Sequence, residues 1–241
     1  MTRLIVASCL LAACAGPQQP NPPPGSAEQT FKKIEDIVSK AKSTRVQYVW
    51  EGASTADQGG KVEATGTVLI KEGNRTSLTA TIIEHDHSSE LKIVSDGNTV
   101  KTRLGPRLIL ECVVPRNLEE GLKLALHRLG AMQAVLIAHK VCMLDEEEQE
   151  EALKLGKKPP ISDFREGPDD GESKTILYKI TPEGSESPAE VKLWYAPKNL
   201  RLVKRTITIK KPSESIFTEV YKEWTLDPEL ENEEFKLPSV K

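Results

Sequence analysis

Apolar and polar residues alternate with a period of two through most of this chain, and short turn signals punctuate the alternation. Val46, Tyr48 and Trp50 alternate with Gln47 and Glu51, while Val62, Ala64, Val68 and Ile70 alternate with Lys61, Glu63, Thr65 and Lys71. That period places one set of side chains on one face of a β-strand. It returns at 78–82, 91–94 and 100–104, and again at 176–180, 191–195, 200–209 and 216–225. Gly59-Gly60, Gly73-Asn74 and Asp96-Gly97-Asn98 fill the early gaps. Such short connections demand antiparallel meander pairing, because parallel strands need crossovers of a dozen residues or more. A sheet of so many strands accumulates twist and is expected to curl.

Two stretches switch to helical spacing. Residues 27–42 carry Phe31, Ile34, Ile37, Val38 and Ala41 on one face, after Ser26 and Gln29 at capping-box spacing. Asn117 and Glu120 have the same spacing ahead of a second stripe, Leu118, Leu122, Ala125, Leu126, Leu129, Met132 and Leu136. Asp145–Glu151 follows with six carboxylates in seven residues and reads as a solvated helix face or loop. Neither a linker nor a repeat divides residues 26–241, so they read as one domain.

The first 25 residues are of another kind. Arg3, the apolar run Leu4–Ala13 and small residues have the order of a secretory signal, and a run of about ten is too short to span a bilayer. Leu11-Ala12-Ala13-Cys14 looks like a bacterial lipobox. On that reading residues 1–13 are removed and Cys14 carries the lipid that holds the protein to a membrane. Five prolines fall within 17–24, so residues 14–25 suit a semi-rigid tether. Only Cys112 and Cys142 then remain, and an oxidising compartment permits them to pair or to stay as two buried thiols. Closing the loop between them would contribute about 3 to 4 kcal/mol.

Chemistry is sparse. Lys+Arg 33 against Asp+Glu 36 gives a net charge of −3 and no field that would draw the chain onto nucleic acid. No nucleophile elbow, zinc-protease motif, phosphate loop or dinucleotide fingerprint is present. His85 and His87 bracket Asp86 in an expected turn, and His139 lies three residues before Cys142 without a second pair to complete a metal site. No catalytic residue, cofactor or metal is expected.

The order of elements, with Val46-Gln47-Tyr48-Val49-Trp50, Val94-Ser95-Asp96-Gly97-Asn98-Thr99-Val100, Val191-Lys192-Leu193-Trp194-Tyr195-Ala196-Pro197 and Phe235-Lys236-Leu237-Pro238, resembles the LolA-like outer-membrane lipoprotein carrier and sorting family, including its LolB-type lipoproteins. The resemblance implies an incomplete antiparallel β-barrel whose concave face is covered by helices, with an apolar cavity for acyl chains of lipids or lipoproteins. Lining candidates are Val46, Tyr48, Trp50, Val68, Ile70, Val100 and Leu193, with Phe31, Ile34 and Ile37 on the helical lid. The implied role is carriage or sorting of lipids or lipoproteins to the outer membrane. The alternatives on the same fold are a sensor of lipid or envelope stress and a structural lipoprotein that contacts envelope proteins.

Overall fold

The computed structural model describes residues 26–54, 60–84, 87–155, 161–181, 188–210 and 213–237. Cys14, the signal, the tether and His85 lie outside these residues. Helix α1 (Ser26–Lys40) leads into β1 (Ser43–Ser54), β2 (Val62–Lys71), β3 (Arg75–Glu84), β4 (His87–Asp96), β5 (Thr99–Leu104) and β6 (Arg107–Val113). Helices α2 (Leu118–Arg128), α3 (Ala131–Val141) and α4 (Glu146–Leu155) come next. The chain then forms β7 (Ile161–Glu166), β8 (Lys174–Ile180), β9 (Ala189–Ala196), β10 (Arg201–Ile209) and β11 (Ser215–Leu226).

All eleven strands form one sheet in the order β6-β5-β4-β3-β2-β1-β11-β10-β9-β8-β7. It consists of two antiparallel meanders zipped together where β1 pairs with β11, from Thr44 opposite Leu226 to Ser54 opposite Ser215. Among the described residues the outer edges of β6 and β7 have no strand partner, so the sheet is an open half barrel, as the resemblance implied. The alternation did not reveal these two edge strands. Both carry bulges, opposite Thr102/Arg103 for β6 and between Ser162 and Arg165 in β7, where Asp163 adopts φ 56°.

Every helix lies on one face of the sheet. Phe31, Ile34 and Val38 of α1, Leu118, Leu122 and Leu126 of α2, and Ala134, Val135 and Ala138 of α3 bury against Val46, Val68, Ile70, Leu78, Ile93, Val100, Ile176 and Leu193. Ala152 and Leu153 of α4 also join this core, and Gly121 lets α4 approach α2, since a Cβ there would sit 2.9 Å from Leu153 Cδ2. The carboxylate-rich run is therefore the outer side of a packed helix.

The second helical stripe is broken where the sequence suggested continuity. Gly130 adopts φ 109°, which ends α2 and starts α3 in a new direction. Asn117 makes no side-chain cap. Instead Asn74, from the β2–β3 turn at φ 58°, accepts the Glu119 N–H at 3.0 Å and donates through its side chain to the Arg116 carbonyl at 3.1 Å. A cap supplied from another element has no local sequence signature.

A buried charge pair fixes the α2–α3 corner to the sheet. Arg205 of β10 and Glu219 of β11 face each other in register, and both are almost fully buried. Glu219 accepts the Ala131 and Met132 N–H groups at 2.9 Å each, where the helix dipole of α3 is positive. Arg205 donates to the Leu126 and His127 carbonyls at the negative end of α2. A Cβ on Gly130 would fall 2.6 Å from Glu219 Oε2 and 2.9 Å from Arg205 Nη1, so glycine is required for space as well as for φ.

The opposite face carries a smaller core. After β11 the chain turns at Asp227, whose Oδ1 accepts the Lys42 N–H at 2.6 Å, and Leu230, Phe235 and Leu237 pack on Leu69 and Val94. Arg45 pairs with Glu234 at 2.8 Å to hold this strap in place.

Removing the Glu219 carboxylate should be costly, because it leaves the buried Ala131 and Met132 N–H groups without an acceptor and the buried charge of Arg205 without its opposite neighbour. Glu219→Ala is expected to lower stability by about 3 to 5 kcal/mol in urea unfolding. A loss below about 1 kcal/mol would show that the corner is held by apolar packing instead.

Candidate apolar ligand site

The sheet register sorts the concave face into rows that run across the strands. One row joins Thr44, Ile70, Thr76, Ser95, Val100 and Cys112, and the next joins Val46, Val68, Leu78, Ile93 and Thr102. These rows are enclosed by helices, and Val46, Val68, Ile70 and Val100 are fully buried. At this end Cys112 of β6 meets Cys142 at the end of α3, with Cα atoms 5.4 Å apart and the sulfurs placed as a disulfide. Cys142 is thus engaged by Cys112, and no group of three or more potential metal ligands occurs among the described residues.

Toward the other end the covering thins. Tyr48, Gly66, Ala80, Leu91 and Leu104 form the third row, and Trp50, Ala64 and Ile82 the fourth, with Glu219, Arg205, Leu193 and Ile176 continuing it through the second meander. Beyond it Gly52, Phe217, Ile207, Val191 and Tyr178 share a fifth row. Here Trp50, Ile82, Ile207 and Phe217 are half-buried, and Leu104 is 44% exposed. Leu136 of α3, 40% exposed, stands one turn beyond Met132, whose sulfur lies 3.8 Å from the Tyr48 hydroxyl. Trp50, Ile82 and Ile207 pack against the closed core, so these half-buried side chains form an apolar mouth continuous with it.

Two glycines shape its aromatic wall. The Trp50 indole lies over Gly52, where a Cβ would meet its Cη2 at 2.6 Å, and stacks on Phe217 with centroids 5.7 Å apart. The Tyr48 ring lies over Gly66 and donates to the Thr79 carbonyl at 3.2 Å. Burial, with the charge of Glu219 adding to it, pushes the Tyr48 phenol far above its ordinary value, so it remains a neutral donor.

Of the residues expected to line a cavity, Trp50 lies in this mouth. Val46, Tyr48, Val68, Ile70, Val100 and Leu193 of the sheet, with Phe31 and Ile34 of α1, are enclosed between sheet and helices. Ile37 is 36% exposed and faces away from them, because the helical stripe turns through Phe31, Ile34 and Val38. Ile82, Leu104, Met132, Leu136, Ile207 and Phe217 did not stand out in the sequence. Each belongs to an ordinary apolar pattern, and the register that aligns them runs between strands far apart in the chain.

Helices α1 and α2 are tied to each other at two points. Arg128 of α2 makes a two-pronged pair with Glu35 of α1, at 2.5 and 2.8 Å, and Lys123 donates to the Ala41 carbonyl at 2.5 Å. His127 is fully buried with its ring 4.4 Å from that of Phe31. Burial first, and then the charges of Arg205 and Arg128, hold its pKa well below the ordinary histidine value, so it packs as a neutral ring.

No family model and no curated protein matches the chain. Among solved structures, it is similar to LprF from Mycobacterium bovis, at 12% identity over 85% of this chain and 95% of that one, with a TM-score of 0.42. A LolA superfamily protein from Nitrosomonas europaea aligns at 12% identity over 88% and 98%, with a TM-score of 0.36. A putative outer membrane lipoprotein-sorting protein domain from Vibrio parahaemolyticus aligns at 9% over 87% and 97%, with a TM-score of 0.37.

The neutral His127 makes stability depend on pH. Below about pH 6.5 the unfolded chain binds a proton at this residue that the folded chain refuses. Its contribution is complete above that pH and falls as the solution is acidified, by up to about 1.4 kcal/mol per pH unit. His127→Phe should flatten the stability curve between pH 6.5 and 5 relative to the parent, whereas parallel curves would show that the proton is taken up elsewhere. At the mouth, Gly52→Val should displace the indole and shift Trp50 fluorescence, with an unchanged spectrum counting against the stacked arrangement.

Proposed function

We propose that the chain is an exported lipoprotein, anchored through Cys14, that binds acyl chains of lipids or lipoproteins at the apolar mouth of its half barrel. The observation that carries this reading is the continuity between half-buried Trp50, Ile82 and Ile207 and the closed core against which they pack. An acyl chain that leaves water for such a surface gains about 0.8 kcal/mol for each buried CH₂, and no bond is made or broken. Deeper penetration, toward Val46, Val68 and Leu193, would require α3 or α1 to lift from the sheet. The binding energy of a long chain is the natural source for that movement, and the reading extends to carriage or sorting of lipids toward the outer membrane. No helix among the described residues is long and apolar enough to cross a membrane; in this proposal the anchor is the lipid on Cys14.

Displacement of a fluorescent fatty acid by palmitate tests the binding. Ile82→Asp should weaken it about tenfold or more, the cost of placing a charge against the chain. Ile37→Asp, on the outer side of α1, should leave it unchanged. Equal effects from the two variants, or no binding by the parent chain, would overturn the reading. Cys14→Ser should release the protein into the soluble fraction, and persistent membrane association would remove the lipid anchor from the account.

A further inference from the structure

The mouth and the attachment point of the tether lie at the same end of the half barrel. Helix α1 runs into β1 at Ser43, so its C-terminal end lies beside the closed rows that begin with Thr44. Its N-terminal part lies at the other end, because the Phe31 ring sits 5.0 Å from Tyr178, a member of the row that contains Gly52 and Phe217. Ser26 lies five residues earlier, about 7.5 Å further along the helix axis. The chain therefore leaves the domain beside the mouth.

The same end carries apolar side chains on its outer surface. Ile83 of β3 and Ile216 of β11 point to the convex face, opposite in direction to their neighbours Ile82 and Phe217, and are 41% and 42% exposed. Leu104, at the end of β5 in the Tyr48 row, is exposed on the concave side, and Leu136 is exposed on α3 one turn from Met132, which reaches Tyr48. Isolated exposed isoleucines are ordinary on a soluble surface, but Ile83 and Ile216 share the convex side of the end at which the chain enters the domain.

From this geometry we infer that the half barrel stands with its open end toward the bilayer that holds its tether, and that the rim residues Ile83, Leu104, Leu136 and Ile216 touch the lipid surface. The inference rests on the lipoprotein reading for the tether. The twelve residues 14–25 reach at most about 40 Å when fully extended, so the rim can touch the surface without strain. Acyl chains would then reach the mouth directly from the membrane, with little exposure to water. The closed end, with Cys112 and Cys142, would point away from it.

The test uses the full chain, processed and lipidated in a bacterial host and reconstituted into vesicles of phosphatidylethanolamine and phosphatidylglycerol that contain a small fraction of lipid with a diazirine in its acyl chain. Photolysis followed by peptide mass spectrometry is expected to place adducts at Ile83 and Ile216 as well as at Leu104 and Leu136. The two isoleucines separate this inference from acyl binding, since they lie outside the mouth and can be labelled only by a bilayer in contact with the rim. Adducts confined to Leu104 and Leu136 would overturn the orientation while leaving acyl binding intact. Adducts at Val113 and Met143, at the closed end, would reverse the orientation. Failure of the lipidated chain to sediment with vesicles, or a dimer free of lipid adducts at all four positions, would overturn it as well. Replacing both isoleucines, by Ile83→Ser and Ile216→Ser together, should reduce adducts at Leu104 severalfold without moving the unfolding midpoint.

Discussion

The arrangement of this molecule depends on two buried charges of opposite sign, each bound to a helix end. Arg205 and Glu219 sit opposite each other in the middle of the concave face, and between them they occupy both ends of the helix corner at Gly130. Burying two charges is expensive, and the expense is offset here because each charge meets the helix end of opposite polarity. The pair therefore specifies where α2 stops, where α3 begins and at which row of the sheet the corner rests. A purely apolar contact could give comparable stability but would leave the position of the corner along the strands less determined.

Placement of that corner gives the half barrel two unlike ends. From it α3 runs across the first meander to the edge strand, where Cys142 meets Cys112, and α1 is bound to α2 through Arg128 and Lys123. The rows beneath these helices close into a core. The row beyond Glu219 receives less cover over β10, β11 and β1, where Ile207 and Phe217 remain half-buried, while Val191 and Tyr178 farther along it are enclosed. The difference between a sealed end and an apolar mouth follows from how far along the strands the helices are anchored, since the sealed rows include the polar Thr44, Thr76, Ser95 and Thr102 and owe their burial to the helices above them.

Much of the architecture was legible in the sequence because strand alternation and helical stripes are local. Nine of the eleven strands and the face of α1 follow from the spacing of residues such as Val46, Tyr48 and Trp50, or Phe31, Ile34 and Val38. The parts that were not legible depend on contacts between distant segments. Strands β6 and β7 lack clean alternation because they are bulged edges, and the zipper between β1 and β11 joins positions near opposite ends of the domain. The stripe through Leu129 continues across Gly130 without a change in pattern, so the corner is set by Arg205 and Glu219 from far along the chain. The mouth was the least visible feature. Trp50 pointed to it, but Ile82, Ile207 and Phe217 join it only through the register between strands far apart in the chain.

The central claim is that acyl chains enter between α3 and the first meander at the open end. Crystals grown with a fatty acid brominated at its terminal carbon would locate the chain directly, through the anomalous signal of bromine. The account predicts a bromine site enclosed by Trp50, Ile82, Met132 and Leu136, with the carboxylate toward solvent near Leu104. Bromine density at the Cys112–Cys142 end, or on the convex face beside Phe235, would contradict it.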